Sequence, residues 1–217
     1  ELSGVRLDSG DLARLSIEVR AILDAEGFQK TEIMASNELD EYLIRDLKQQ
    51  GAKITVWGVG TNLVTGKDQP ALDGVYKLSA IQNEKGVWEY RLKLSEQTAK
   101  TTNPGILQVR RFFDGKHYLG DGIYDELLGC GAEFVDIFDP NNRFSSAKSS
   151  DLLVPIFRSG KLVYEFPSLK AIQDNANKEL SRLPPAMERF TNPQPYFVGL
   201  EKALYEKKLE MIKRLKK

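Results

Sequence analysis

Arg6 and Asp8 stand two residues apart in Val5-Arg6-Leu7-Asp8-Ser9-Gly10, so on an extended strand end both side chains project to the same side. Arg6 offers a planar fork of donors suited to a carboxylate or a phosphate, and Asp8 offers two acceptors suited to the vicinal hydroxyls of a sugar. An arginine and an aspartate so placed could equally neutralise one another as an ion pair. Further on, Ser36 and Asn37 are small polar residues that can cap a helix, and a ligand role stays open for Asn37 at a strand end. In Gly58-Val59-Gly60-Thr61 the glycines let backbone N–H groups turn toward an anion and the Thr61 hydroxyl adds a donor, which is how phosphate is held after a strand. A plain tight turn fits the same four residues. It is not a Walker loop, because no Gly-Lys-Ser/Thr follows.

The elements that must position these groups follow from hydrophobic spacing. Residues 4–7 read as a strand. Over 12–26, Leu12, Leu15, Val19, Ile22 and Leu23 form one stripe of a helix, with Asp8 or Ser9 as its cap, Asp11 in its first turn and Gly27 at its end. A short strand over 31–35 precedes Ser36 and Asn37 as caps of a second helix carrying Leu39, Leu43, Ile44 and Leu47, stopped by Gly51. A third strand, 54–57, runs into the glycine loop. Strands alternating with helices indicate βα units and a parallel sheet covered on both faces, either an open doubly wound sheet or part of a barrel. In such sheets ligands sit beyond the carboxyl ends of the strands. That rule gathers Arg6, Asp8, Ser9, Gly10 and Asp11 after the first strand, Ser36, Asn37 and Asp40 after the second, and Gly58, Gly60 and Thr61 after the third at one pocket.

After Pro70 the pattern changes. Residues 75–81, 88–94 and 106–113 read as strands, with hairpin turns at Asn83-Glu84-Lys85-Gly86 and Asp114-Gly115-Lys116. The Gly-rich stretch 118–138 is ambiguous, and 151–164 can supply two short strands around Ser159-Gly160. A helix over 168–183 stops at Pro184-Pro185, and a last helix starts near Tyr196, after Pro193 and Pro195. The expected organisation is a parallel α/β part over 1–80, a small antiparallel β module over 81–166 and a helical segment over 167–217. His117 sits beside the second hairpin turn, far in sequence from the pocket, and reads against a catalytic role. Cys130, between Gly129 and Gly131, has no neighbouring base and reads as packing.

Composition narrows the function classes. The 217 residues hold 31 Lys plus Arg against 31 Asp plus Glu, so no broad surface of one sign exists for a nucleic-acid backbone or an anionic membrane. The basic run 207–217 reads as a solvated terminal helix. The apolar runs at 54–59 and 151–157 are far short of the ~20 residues that cross a bilayer. A single cysteine excludes an internal disulfide, and no thiol or imidazole cluster suggests a structural zinc, which points to a reducing, cytoplasmic setting. The first residue is Glu1 rather than Met, and the chain reads as one that starts partway through a longer protein.

Four blocks together carry a resemblance: Gly4-Val5-Arg6-Leu7-Asp8-Ser9-Gly10-Asp11-Leu12; Ala35-Ser36-Asn37 with Leu39-Asp40-Glu41; Gly58-Val59-Gly60-Thr61-Asn62-Leu63-Val64-Thr65; and Gly74-Val75-Tyr76-Lys77-Leu78. In this order they resemble the nicotinate phosphoribosyltransferases, a type II phosphoribosyltransferase family. The resemblance is clear over about residues 4–80 and continues loosely to the end. It implies an α/β fold: part of an irregular parallel α/β barrel, then a small antiparallel β module and C-terminal helices. It further implies an enzyme joining nicotinate to phosphoribosyl pyrophosphate, giving nicotinate mononucleotide and pyrophosphate, with ATP as co-substrate, in NAD salvage.

By position in these blocks, Arg6 would contact nicotinate, Asp8 would hold the ribose hydroxyls as the catalytic carboxylate, and Gly60 with Thr61 would hold the 5-phosphate. Ser36, Asn37 and Gly58 complete the substrate-binding set. Mg2+ is expected through the substrate phosphates, with ligation by protein groups left open. The family's phosphorylated histidine and the aromatic that stacks on the pyridine ring lie before the Arg-x-Asp-Ser-Gly block, and His117 does not fit that histidine's motif. The chain is therefore expected to work with the N-terminal half of the same enzyme, with a homodimer open. The alternatives are another phosphosugar-binding barrel enzyme, such as a quinolinate or nicotinamide phosphoribosyltransferase, and a non-catalytic truncated chain.

Overall fold

The computed structural model describes residues 2–71, 74–97, 100–145 and 148–216. Its contacts divide into two units, Glu1–Val75 and Tyr76–Lys217. In the first, β1 (Gly4–Leu7), β2 (Glu32–Ala35) and β3 (Val56–Trp57) form a parallel sheet in that order. They are joined by α1 (Leu12–Ala25) and α2 (Glu41–Gln49). The strands alternate rather than being apolar throughout. Val5, Leu7, Ile33, Ala35 and Trp57 pack against Leu12, Val19 and Leu23 of α1 and Ile44 and Leu47 of α2, while Gly4, Arg6 and Glu32 are exposed. Within this unit helices thus cover one face of the sheet, not the two that βα alternation suggests.

Both helix starts differ from the sequence expectation. Asp11, not Asp8 or Ser9, caps α1, its carboxylate accepting from the Arg14 N–H at 3.0 Å. Asp40, not Ser36 or Asn37, caps α2, accepting from the Leu43 N–H at 2.7 Å. In each case an earlier polar residue is compatible with a cap, but the carboxylate immediately before the first helical residue has the reach to the third N–H. This leaves Asp8, Ser36 and Asn37 for other partners. The expected stops hold: Gly27 and Gly51 both have positive φ, 83° and 80°.

The second unit is built on a six-stranded sheet. It comprises β6 (Leu107–Phe113), β7 (Tyr118–Asp125), β8 (Glu133–Asp136), β9 (Arg143–Ser145), β10 (Lys148–Asp151) and β13 (Phe197–Glu201), in the order β10-β6-β7-β13-β8-β9. Two separate hairpins, β4 (Ala80–Gln82) with β5 (Trp88–Tyr90) and β11 (Phe157–Arg158) with β12 (Lys161–Leu162), turn where Asn83–Gly86 and Ser159-Gly160 suggest. The regular strands are shorter than 75–81 and 88–94.

The largest correction concerns β13. The sequence reading starts the last helix near Tyr196, but Phe197-Val198-Gly199-Leu200-Glu201 is an inner strand of the sheet, parallel to β7 and antiparallel to β8. Pro193 and Pro195 hold the chain extended rather than opening a helix, and Leu200 is buried. The sheet is therefore mixed through β13, which lies outside 81–166, while the described strands within 81–166 pair with one another antiparallel. The helix begins one strand later, as α5 (Lys202–Leu215), with Glu201 as its cap to the Ala203 and Leu204 N–H groups. Lys217, the last residue of the basic run, lies outside the described residues.

Aromatic packing explains the glycines of β7. Phe112 and Phe134 meet edge to face with centroids 4.8 Å apart, and Phe144 lies 5.3 Å from both Phe112 and Phe197. A Cβ at Gly122 would overlap the Phe134 ring. One further helix, α4 (Leu169–Leu180), is capped by Ser168. Its Glu179 meets Arg111 of β6, which also holds Asp121 of β7 through two bonds of 2.8 Å.

Candidate functional site

Parallel register brings the three strand ends of the first unit level, because Leu7 pairs with Ala35 and Ala35 with Trp57. The ladder runs one residue further: the Ser36 N–H donates to Leu7 O at 3.0 Å and the Gly58 N–H to Ala35 O at 2.8 Å. Asp8, Ser36 and Gly58 therefore sit side by side just past the carboxyl ends of β1, β2 and β3.

Side chains connect them. Arg6 Nη2 donates to Asp8 Oδ2 at 3.2 Å, and Ser36 Oγ donates to Asp8 Oδ1 at 2.6 Å. The Arg6–Asp8 pair is formed, as the neutralisation reading allows, but the two side chains are 61% and 56% exposed. In water such a pair contributes only about 0–1 kcal/mol, so it does not lock either group away. One bond to Asp8 also leaves most of the guanidinium donors for a ligand.

The loop after β2 turns sharply. Asn37 and Glu38 both have positive φ, 92° and 48°, a conformation uncommon for residues with a side chain. The glycine loop follows β3 and ends in α3 (Thr61–Thr65), whose cap residue Gly60 has no side chain to satisfy the first helical N–H groups. At Gly58 a Cβ would crowd Ala35 O at 3.3 Å and the Ser36 Cβ at 3.4 Å, so glycine keeps the β2 end open.

Asn37, Glu38, Leu39, Gly58, Gly60, Thr61 and Asn62 line one cleft of about 210 Å³. Of the residues singled out from sequence, Asn37, Gly58, Gly60 and Thr61 thus share a cavity. Arg6, Asp8 and Ser36 form a hydrogen-bonded group at the adjoining strand ends without lining it. Asn62 was missed as a site residue: it lies inside a recognised block, but nothing in its type or spacing marks what it touches.

Two groups of the second unit are described by their own surroundings. The His117 N–H donates to Asp114 Oδ1 at 2.8 Å in the β6–β7 turn. Cys130 is half-buried, and burial pushes its thiol up from the ordinary value although Arg110 opposes this. Such a thiol is a poor nucleophile. Among the described residues no group of three or more His, Cys, Asp or Glu side chains could hold a metal ion, and no helix is long and apolar enough to cross a membrane.

Comparison with known proteins places this geometry in context. Residues 107–208 match the model of the nicotinate phosphoribosyltransferase C-terminal domain. Nicotinate phosphoribosyltransferase of Bacillus subtilis (strain 168) is 39% identical over 222 residues, covering 98% of this chain and 45% of the relative. That of Homo sapiens is 32% identical over 215 residues, covering 93% of this chain and 39% of the relative. The crystal structure of human nicotinic acid phosphoribosyltransferase superposes with a TM-score of 0.69 at 26% identity, over 96% of this chain and 40% of that one. The chain spans less than half the length of these relatives. In sequence and in fold it is similar to the C-terminal portion of nicotinate phosphoribosyltransferases, as the four blocks imply.

Proposed function

We propose that the full-length protein joins nicotinate to phosphoribosyl pyrophosphate, releasing nicotinate mononucleotide and pyrophosphate, with ATP hydrolysis coupled to turnover, in NAD salvage. The observation that carries this reading is the level alignment of three strand ends, which puts a guanidinium, a carboxylate and a glycine loop within one short arc. Displacing pyrophosphate from the anomeric carbon builds positive, oxocarbenium-like charge on the ribose. Asp8 serves that charge and the ribose hydroxyls with its two oxygens, while Ser36 fixes the carboxylate's orientation.

Arg6 takes the nicotinate carboxylate, because a planar fork matches two carboxylate oxygens. Gly58, Gly60 and Thr61 hold the 5-phosphate through backbone N–H groups and the Thr61 hydroxyl, with Asn37 lining the same cleft. Holding base, sugar and phosphate in one geometry removes much of the entropic barrier to their reaction. Magnesium fits this scheme as a partner of the pyrophosphate oxygens, since Asp8 already accepts from Arg6 and Ser36. Coupling to ATP and stacking on the pyridine ring fall to the N-terminal half of such an enzyme.

The test is product formation by the purified full-length protein from nicotinate and phosphoribosyl pyrophosphate, with and without ATP. Nicotinate mononucleotide should form, faster with ATP, and excess quinolinate or nicotinamide should compete poorly. Turnover of quinolinate or nicotinamide in preference to nicotinate would overturn the substrate assignment.

A further inference from the structure

The cleft is closed on one side by a residue that the reaction scheme above does not use. Asn62, in the first turn of α3, aims its side-chain amide across to the loop after β2. Its Nδ2 donates to Leu39 O at 2.9 Å and to Glu38 O at 3.2 Å. Both partners are carbonyl oxygens, which only accept, so the amide nitrogen and not its oxygen must face them.

The loop that Asn62 grips is the one with two consecutive positive-φ residues, Asn37 and Glu38. Non-glycine residues hold such conformations when surrounding contacts over-determine them. Leu39, 2% exposed, anchors the loop from the core side, and Asn62 anchors it from the cleft side. The same asparagine follows Thr61 directly. Its own backbone is fixed by α3, where Asn62 O accepts from the Gly66 and Lys67 N–H groups, Lys67 at 3.2 Å. One side chain therefore sets the spacing between the two walls of the cleft, Asn37-Glu38-Leu39 and Gly58-Gly60-Thr61.

We infer that Asn62 is a positioning residue: by bridging the carbonyls of Glu38 and Leu39 it holds the strained loop after β2 in register with the phosphate-binding glycine loop, and so sets the affinity for the phosphoribosyl donor. This rests on the function proposed above for the identity of the donor, but the bridge itself is independent of it. A leucine of similar size at position 62 keeps the packing and loses both bonds. An aspartate keeps the shape and turns a carboxylate toward two carbonyl oxygens, which repel it. A serine keeps one short donor.

The full-length protein and its Asn62→Leu, Asn62→Asp and Asn62→Ser variants should be compared by hydrogen exchange over residues 36–40 and 58–64, by thermal unfolding and by steady-state kinetics. Asn62→Leu should speed exchange in both loops and raise the KM for phosphoribosyl pyrophosphate about tenfold, the loss expected for two uncharged hydrogen bonds. Its kcat should change less, and its unfolding temperature should stay close to that of the parent. Asn62→Asp should be worse than Asn62→Leu, and Asn62→Ser milder. Unchanged exchange in the loop after β2 would overturn the bridge. Faster exchange with an unchanged KM for the donor, or a uniform fall in stability and activity across all three variants, would overturn the positioning role. A parent protein that forms no nicotinate mononucleotide would defeat the proposed function instead, while the exchange measurement still decides the bridge.

Discussion

Ser36 Oγ donates to Asp8 Oδ1 across 2.6 Å, tying together residues that are 28 positions apart and lie just past two neighbouring parallel strands. The bond orients the carboxylate, whose other oxygen accepts from Arg6 at 3.2 Å, so a sugar hydroxyl would use the remaining lone pairs of the two oxygens. Asp8→Asn keeps the size of the side chain and removes its charge. If Asp8 stabilises positive charge on the ribose, the variant of the full-length protein should lose about 10²–10³ in kcat, with a smaller change in KM for either substrate. Steady-state rates measured at saturating nicotinate and phosphoribosyl pyrophosphate check this. A kcat within a few-fold of the parent would remove Asp8 from the chemical step.

Gly122 exists for packing. A methyl group at that position would overlap the Phe134 ring and come within 2.9 Å of Phe112, in the aromatic cluster that joins β6, β7 and β8. Gly122→Ala should destabilise the second unit by about 1–3 kcal/mol or more. Gly74→Ala, where a Cβ meets nothing within 4 Å, should be nearly neutral. Urea midpoints of the two variants give the comparison, and equal midpoints would contradict the packing described here.

Tyr90 and Asp125 define an alkaline limit to stability. Asp125 is fully buried and accepts from the Tyr90 hydroxyl and from the Ile106 and Leu127 N–H groups. Burial first, and then the hydrogen bond to Asp125, push the Tyr90 hydroxyl from 10.0 up to about 12. The folded state therefore holds a proton that the unfolded chain gives up at lower pH. Its contribution is fully present below pH 10 and is lost as the pH rises through about 12. Stability measured by urea unfolding should fall across that window. Tyr90→Phe should cost about 1–3 kcal/mol near neutral pH by leaving a buried carboxylate oxygen short of a donor, and should flatten that part of the alkaline decline. An unchanged alkaline slope in Tyr90→Phe would assign the decline to other groups.

What could be read from sequence differs between the two units for a physical reason. In the first, local signals suffice: the stripe of Leu12, Leu15, Val19 and Leu23, the β-branched runs and the glycine stops specify βα units, and parallel register then brings the strand ends level without further information. The cap assignments failed because Asp8, Ser9, Asp11, Ser36, Asn37 and Asp40 are all competent caps, and only the backbone decides which stands next to the first helical residue. In the second unit the sheet depends on pairing across long separations. Phe197–Glu201 finds its place between β7 and β8, a long-range choice that no local pattern near Tyr196 reveals. The role of Asn62 is hidden similarly, because it depends on carbonyls more than 20 positions away.

The central claim is that Arg6 and Thr61 hold different parts of one assembled substrate set across the aligned strand ends. It is tested most directly by ligand-selective losses in the full-length protein. Removing the charged fork in Arg6→Ala should raise the KM for nicotinate by about 10- to 100-fold with a smaller effect on phosphoribosyl pyrophosphate. Thr61→Val should do the reverse, raising the KM for phosphoribosyl pyrophosphate by up to about tenfold. Equal losses for both substrates in both variants, or a nicotinate KM untouched by Arg6→Ala, would contradict it.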